Sequence, residues 1–486
     1  MTRNLGTPSG AVRNRNATPD PPRAGTRPVD TPDPAPTPAS ASASAPATVP
    51  VRIPVRGGGV VIDGRVDGGT LSAVTLALPL TTAGDRAAAV AAPLIAACWA
   101  RAVARAARRS GAAIRAEPVV TADCVGVTVE CVRSDGPVLH AVPEWFAEGV
   151  GQGPDPEPDF EEAKAECLAR LTADDRWSDG VRRALFGGNH PYAIGHDERA
   201  AAVAAVGPDS VRRLSATLRA DRPVLAASHA DPTVLQALVA AVENTGLAAA
   251  LDTGTPPPPA IMPTRGTSPT DTAPTSHPTT PGTARARHPT AAGAGTHTTP
   301  ASRQTREPAP ATTPRPVTVS VPAGPGSAYH LLGTPGVPLS SPDKPAVHLA
   351  WALLGGRGGL LDQHLRTERA LTYSLAAFSR EFAHGGYGLV AAGCAPETLP
   401  EVAAGTRAVI SGLAHGEFSD DLLASAKERL VIQYHRAGRS SRGITERLCG
   451  YEVAGLAPAE STRYPYRLLQ VTAHQVQQAA EQYLLA

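Results

Sequence analysis

Apolar positions follow two rhythms along the chain, and the same succession of rhythms occurs twice. In residues 70–80, TLSAVTLALPL, and 124–132, CVGVTVECV, aliphatic and β-branched residues come in short runs or alternate with small polar ones, which predicts strands. Between them an alanine-rich run from about Asp85 to Arg109 predicts a long helix. A helix over 159–171 (DFEEAKAECLARL), further helices and a strand within PVLAASHA (223–230) complete the first series. The second series has strands in VTVSVP (317–322) and AYHLLGTP (328–335) and a helix near 343–354. Strands in TYSLAAF (372–378) and YGLVAAGC (387–394) follow, then helices from about 397 to the end.

One local echo supports a duplication. PLTTAGD (79–85) and PLSSPDK (338–344) each end a strand-like run and precede a helix, with Ser, Thr or Asp placed to cap it. The chain therefore reads as α+β, with two homologous domains, each a mainly antiparallel sheet backed by helices. Residues 1–50 and 252–315 are rich in Pro, Thr, Ala and Ser and poor in large apolar side chains, so burial there cannot offset chain entropy. This predicts a disordered N-terminal segment (1–50), a first domain (51–251), a disordered Pro/Thr-rich linker (252–315) and a second domain (316–486).

Composition narrows the picture only a little. Of 45 basic residues, Lys164, Lys344 and Lys427 alone are lysines, and a formal charge of +1 gives no global basic field, so nucleic acid is not an implied partner. Cys98, Cys124, Cys131, Cys167, Cys394 and Cys449 form no C-x-x-C pair and read as reduced, mostly core residues. The N-terminal stretch has charge but no apolar core of a signal peptide. The longest uncharged apolar run, 87–100, contains Pro93 and is too short to span a bilayer, so no membrane is implied and a cytoplasmic protein is expected.

Candidate chemistry is sparse. His140, Glu144 and Glu148 stand at i, i+4 and i+8, but Pro143 suits only a first helical turn and spoils the register. His190 and His196 flank a His-Pro-Tyr turn and read as structural. GGRGG (355–359) lacks the spacing of either common phosphate-binding loop. Arg366 lies seven residues before Tyr373, where a helix gives way to a strand. Alternation alone puts Tyr373 on one face with Leu371 and Leu375, as a core tyrosine, and makes Arg366 a helix-end cation.

The segment 355–378, GGRGGLLDQHLRTERALTYSLAAF, resembles the C-terminal domain of the insulinase and mitochondrial-processing-peptidase (pitrilysin-like) zinc peptidases, which carry a pattern like L-R-E-K-R-G-L-A-Y-S. Residues 185–231, LFGGNHPYAIGHDERAAAVAAVGPDSVRRLSATLRADRPVLAASHAD, look like the later part of that family's first domain. The resemblance implies two α+β domains facing across a chamber. It also implies H-x-x-E-H on the first long helix, two histidines binding zinc with the glutamate as general base. Here the five positions read Pro93, Leu94, Ile95, Ala96 and Ala97, and the first histidine of the chain is His140. Of the family's third ligand only candidates survive, Glu161, Glu162 and Glu166. No zinc is expected in this chain, and by this reading a pseudoenzyme, inactive alone, is expected.

In the family an arginine and a tyrosine at the spacing of Arg366 and Tyr373 reach across the chamber. The tyrosine donates to the oxyanion and the arginine holds substrate carbonyls. Two positions depart from the pattern: Ala370 stands where glycine is usual and Asp362 where an aromatic is usual, and Arg369 is a second candidate for the arginine. Keeping the pair while losing every ligand fits heterodimeric members in which another subunit holds the zinc. The resemblance thus implies a non-zinc subunit that presents Arg366 and Tyr373 to a peptide at the partner's zinc. The alternatives are an inert scaffold or a stand-alone peptide-binding protein that kept the fold.

Overall fold

The computed structural model describes residues 49–55, 59–64, 70–80, 86–133, 136–151, 160–173, 177–218, 223–228, 231–244, 316–324 and 326–485. Apart from Val49 and Pro50, the expected low-complexity segments lie outside these residues. Two sheets organise the rest. The first contains β1 (Val51–Pro54), β2 (Val60–Asp63), β3 (Leu71–Pro79), β4 (Arg115–Val120), β5 (Cys124–Val132) and β6 (Val224–Ala227), in the order β1-β2-β6-β3-β5-β4. All its pairings are antiparallel except β2 with β6. The second contains β7 (Val317–Gly324), β8 (Ser327–Gly336), β9 (Ser374–Glu381) and β10 (Gly386–Cys394), antiparallel throughout, in the order β7-β8-β10-β9.

The first half also forms α1 (Arg86–Arg109), α2 (Gly136–Phe146), α3 (Phe160–Ala173), α4 (Trp177–Phe186), α5 (His196–Ala205), α6 (Pro208–Leu218) and α7 (Pro232–Asn244). The second forms α8 (Lys344–Leu354), α9 (Leu399–Ala414), α10 (Asp420–Ala437), α11 (Ser441–Val453), α12 (Glu460–Gln470) and α13 (Ala473–Tyr483). The strand β3, helix α1, hairpin β4–β5 unit recurs as β8, α8, β9–β10, and in both sheets the order is first strand, third, second. Pattern reading found the central strands but not β1, β2 or β4. β4 is an edge strand interrupted by Pro118 and β1 is mostly exposed, so neither shows a clean apolar alternation.

Each sheet is covered on both faces, and one cover comes from the opposite half. Val74, Leu76 and Leu78 of β3 turn towards α1, into a core with Ile95 and Trp99. The intervening Ala77 joins Val60, Ile62, Val224 and Ala226 under Leu448 and Cys449 of α11. Reciprocally, Val390, Ala392 and Cys394 of β10 pack with α8 and the C-terminal helices, whereas Leu331, Leu389 and Ala391 pack with Val181, Leu185 and Phe186 of α4. Burial on both faces explains why these strands read as almost unbroken apolar runs. Polar links fasten the exchange. Thr75 is 2.8 Å from Thr128 and 2.7 Å from Thr445, Ser441 donates to the Leu71 carbonyl at 2.6 Å, and Arg52 pairs with Glu452 at 2.8 Å. All six cysteines are buried and unbridged.

Helix α1 is long and apolar enough by length and composition to cross a membrane, but here it is a core helix, with Trp99, Ile95 and Ala96 fully buried. In α2 the structure corrects the expected limit on Pro143, which sits inside the helix. A π-helical turn at Ala147–Gly151 follows and shifts the register. His140 Nε2 lies 3.1 Å from Thr233 Oγ1, and Glu148 pairs with Arg109. His190 is a cap: its Nδ1 accepts from the Tyr192 amide at 3.1 Å.

Candidate functional site

Pro93 and Ala97, the residues expected at the two histidine positions, lie one turn apart on α1 and line a cavity of about 690 Å³. Their chemistry is a ring and a methyl group, so this face offers no lone pair to a metal. Leu94, Ile95 and Ala96 between them are buried in the core. One further turn along the same face stands Arg101, which donates to Glu162 at 2.9 Å and to Glu166 at 3.0 Å on α3. Arg170 also pairs with Glu166, at 2.6 Å. Glu162 and Glu166 are thus paired with arginines, and these ion pairs join α1 to α3.

The cavity lies on the seam between the halves. Its walls include Ala100 and Ala104 of α1, Glu117 and Pro118 of β4, Arg182 of α4, Arg199 of α5, and Arg380, Phe382 and Tyr387 from the β9–β10 hairpin. Next to it, Asp123 accepts from the Tyr192 hydroxyl at 2.6 Å and from the Ala383 amide at 3.0 Å, and Tyr192 Oη accepts from the His384 amide at 3.2 Å. Burial raises the Asp123 carboxyl above its ordinary value, with both hydrogen bonds acting the other way. Burial also raises the Tyr387 phenol, against the nearby Arg182 and Arg380. His196 and Arg182 share Asp179, with His196 Nδ1 at 3.0 Å. Sequence reading passed over Arg182, Arg199 and Arg380. Arg101 carried a usable signal, its i+4 spacing from Ala97.

Arg366 and Tyr373 stand elsewhere and do not line this cavity. Arg366 lies in the last turn of a π-helical segment, Asp362–Glu368, whose Leu365 is buried against α9. Gly405 of α9 leaves the room, because a Cβ there would stand 2.6 Å from Leu365 Cδ2. The Arg366 side chain is 54% exposed, with its guanidinium 3.7 Å from Asp362. Asp362, in place of an aromatic, accepts from the Gly358 amide at 2.9 Å and so braces the glycine turn. Its side chain is thereby used in the turn rather than in packing.

Tyr373 corrects the expectation of a core tyrosine: it is 54% exposed, and Thr372 is the residue turned inward. Its amide donates to the Gly393 carbonyl at 3.0 Å, which extends β9 by one residue, and its hydroxyl meets that of Ser327. The ring lies over Gly393, where a Cβ would approach Tyr373 Cε2 to 2.7 Å. Strand β10 therefore carries a glycine at the one place that lets the ring lie flat and leave its hydroxyl at the surface. Between the two candidates, Ala370 adopts φ 51°, and no other described non-glycine residue has a positive φ.

Residues 288–430 match the family described as the peptidase M16 inactive domain. No curated protein sequence matches the chain. Among solved structures, the chain is similar to a peptidase M16 inactive domain from Pseudomonas fluorescens (16% identity, 89% of this chain and 96% of that one, TM-score 0.62). It is also similar to a protease from Helicobacter pylori (14%, 90% and 97%, 0.63) and to a chain of complex III2 from Candida albicans (14%, 89% and 93%, 0.58). At these identities the structures speak for the fold, which extends over both halves. The chain thus shares its fold with solved structures that include a peptidase M16 inactive domain, and its residues 288–430 match that family, a match that implies no zinc in this chain.

Proposed function

We propose that this chain is the non-zinc subunit of a heterodimeric insulinase-like peptidase, cytoplasmic, acting on short or unfolded peptides bound at a partner's zinc. The carrying observation is the placement of Arg366 and Tyr373. Both are more than half exposed, on a braced turn and a strand end, while the chain's own α1 has nothing for them to serve. An exposed guanidinium fork and an exposed phenol suit a carbonyl and a developing oxyanion contributed from outside the chain. Arg369, also exposed, is the rival for the arginine role.

The test is peptide hydrolysis by a zinc-bearing, H-x-x-E-H subunit from the same organism, alone, with this chain, and with its Arg366→Ala and Tyr373→Phe variants. Loss of one oxyanion donor costs about 10²–10³-fold in kcat, so each variant should bind the partner and fail to activate it. Arg369→Ala should leave activation intact. Full activation by the Arg366 and Tyr373 variants overturns the assignment. That outcome favours an inert scaffold, a reading supported by the likeness to a chain of complex III2.

A further inference from the structure

The cavity over α1 has lost the means to hold a metal but has gained an excess of guanidinium groups. Arg101, Arg170, Arg182, Arg199 and Arg380 line it, against Glu117 and Glu166 among the lining carboxylates. Most of these charges are already matched. Arg101 and Arg170 share Glu162 and Glu166, Arg182 has Asp179, and Glu117 is held by Arg115 at 2.7 Å, with Arg442 at 3.7 Å. Arg199 and Arg380 are different: neither has an ion pair with a described carboxylate. Arg199 stands on the first turn of α5, largely enclosed, with Arg182 close enough to oppose its charge. Burial, then Arg182, lowers its pKa more than Asp179 and Glu198 raise it. Arg380 comes from the opposite half, on the exposed end of β9 beside Phe378, and shares the neighbourhood of Tyr387 with Arg182.

Arg199 is largely enclosed without a paired carboxylate, which is costly for a guanidinium, and the exposed Arg380 offers a second planar fork; a carboxylate meets such a fork in paired, charge-assisted hydrogen bonds. Both forks line a cavity of a size suited to a few residues of peptide. The lining also includes Ile194, Leu171, Phe382 and Tyr387, which suits apolar neighbours of an acidic side chain better than a free hydrated ion. We propose that this cavity binds an acidic peptide, with Arg199 and Arg380 gripping its carboxylates from the two halves of the chain. The inference takes from the function proposed above only that the ligand is a peptide; it needs neither the partner nor Arg366 and Tyr373.

The experiment is calorimetric titration of the full chain with an acetylated, amidated peptide, Ala-Leu-Glu-Ala-Glu-Leu-Ala, and with its Gln-for-Glu counterpart. The acidic peptide should bind about tenfold or more tightly than the amide version, and Arg199→Gln and Arg380→Gln should each lose about tenfold. Binding should weaken between 50 and 500 mM NaCl, on the order of the screening expected for such charges. Equal affinity for the two peptides, or wild-type affinity in Arg380→Gln, overturns the proposal. So does inorganic phosphate binding as tightly as the peptide, which would make this a simple ion site. Arg380 is exposed, so its variant carries the test if Arg199→Gln does not fold. Failure here leaves partner activation by Arg366 and Tyr373 untouched, and failure there leaves this binding untouched.

Discussion

The two halves share a plan and have aged differently. Both place a long-range antiparallel strand, a helix and a hairpin in the same order, yet the helix of the first unit runs 24 residues and that of the second 11. In the first half the face that would bear chemistry is now proline and alanine, with an arginine tying down the nearest acids. In the second half the candidate groups remain at the surface, on a turn braced by Asp362 and a strand end flattened by Gly393. The face of α1 is filled by small side chains and tied by Arg101 to two glutamates. Keeping an outward pair needed a turn, a glycine and a packed leucine to hold it in place. The outward pair of the second half therefore depends on backbone geometry, whereas the corresponding face of the first half depends on side-chain size.

The exchanged helices give the sharpest way to test whether the halves are separable at all. Leu448 of α11 is buried against the first sheet, so Leu448→Ala should cost about 2–5 kcal/mol. The loss should appear as reduced hydrogen-exchange protection in β3 and β6, far away in sequence. Val181→Ala on α4 is the reciprocal change and should expose β8 and β10 at a smaller cost, fewer atoms being removed. Protection lost only within α11 and α4 themselves would show the covers to be peripheral and the halves to be independent.

Acid distinguishes the halves next. His330 on β8 is 2% exposed, and its imidazole is pushed down to about 4, by burial first and then by Arg407. Burial also lowers His348, which sits 2.7 Å from the Tyr464 hydroxyl. The unfolded chain takes up these protons near pH 6.5 and the folded chain only below, so stability is complete above about 6.5 and falls as pH drops towards 4. His330 should contribute a loss of about 2–3 kcal/mol across that window, read as a falling urea midpoint. His330→Gln should flatten the profile, and an unaltered profile would place the acid-sensitive group elsewhere, at His348 in the same half or at His190 in the first half, both lowered by burial.

What the sequence displayed and what it hid follows from the range of the interactions. Strands β3, β5, β8 and β10 were legible because burial on both faces leaves a local imprint of continuous apolar residues. The missing zinc ligands were legible because H-x-x-E-H is local on one helix. The exchange of α4 and α11 was not, since an amphipathic helix does not record which sheet it covers. The arginine cavity was equally hidden: Arg199 and Arg380 are 181 positions apart and line one cavity only in the folded chain. For the pair Arg366 and Tyr373 the spacing was visible, but the outward direction of Tyr373 depends on Gly393, twenty residues further on.

The smallest effect concerns the turn that separates that pair. Ala370 is exposed and has φ 51°, in the left-handed region where a Cβ is crowded by backbone, and its amide donates to the Arg366 carbonyl at 3.1 Å while that of Leu371 reaches Leu365 at 2.8 Å. Comparable turns in the first half, at Gly111 and Gly187, use glycine for the same backbone region. Ala370→Gly removes the crowding but frees the unfolded chain, so the net gain should be about 0.4–1 kcal/mol, seen as a higher urea midpoint at unchanged slope. A lower midpoint would mean that the turn is not strained and that Asp362 and Leu365 alone set its shape. With the gain confirmed, the second half would be shown to tolerate a strained alanine between its two candidate residues, a cost the first half does not carry at its own turns.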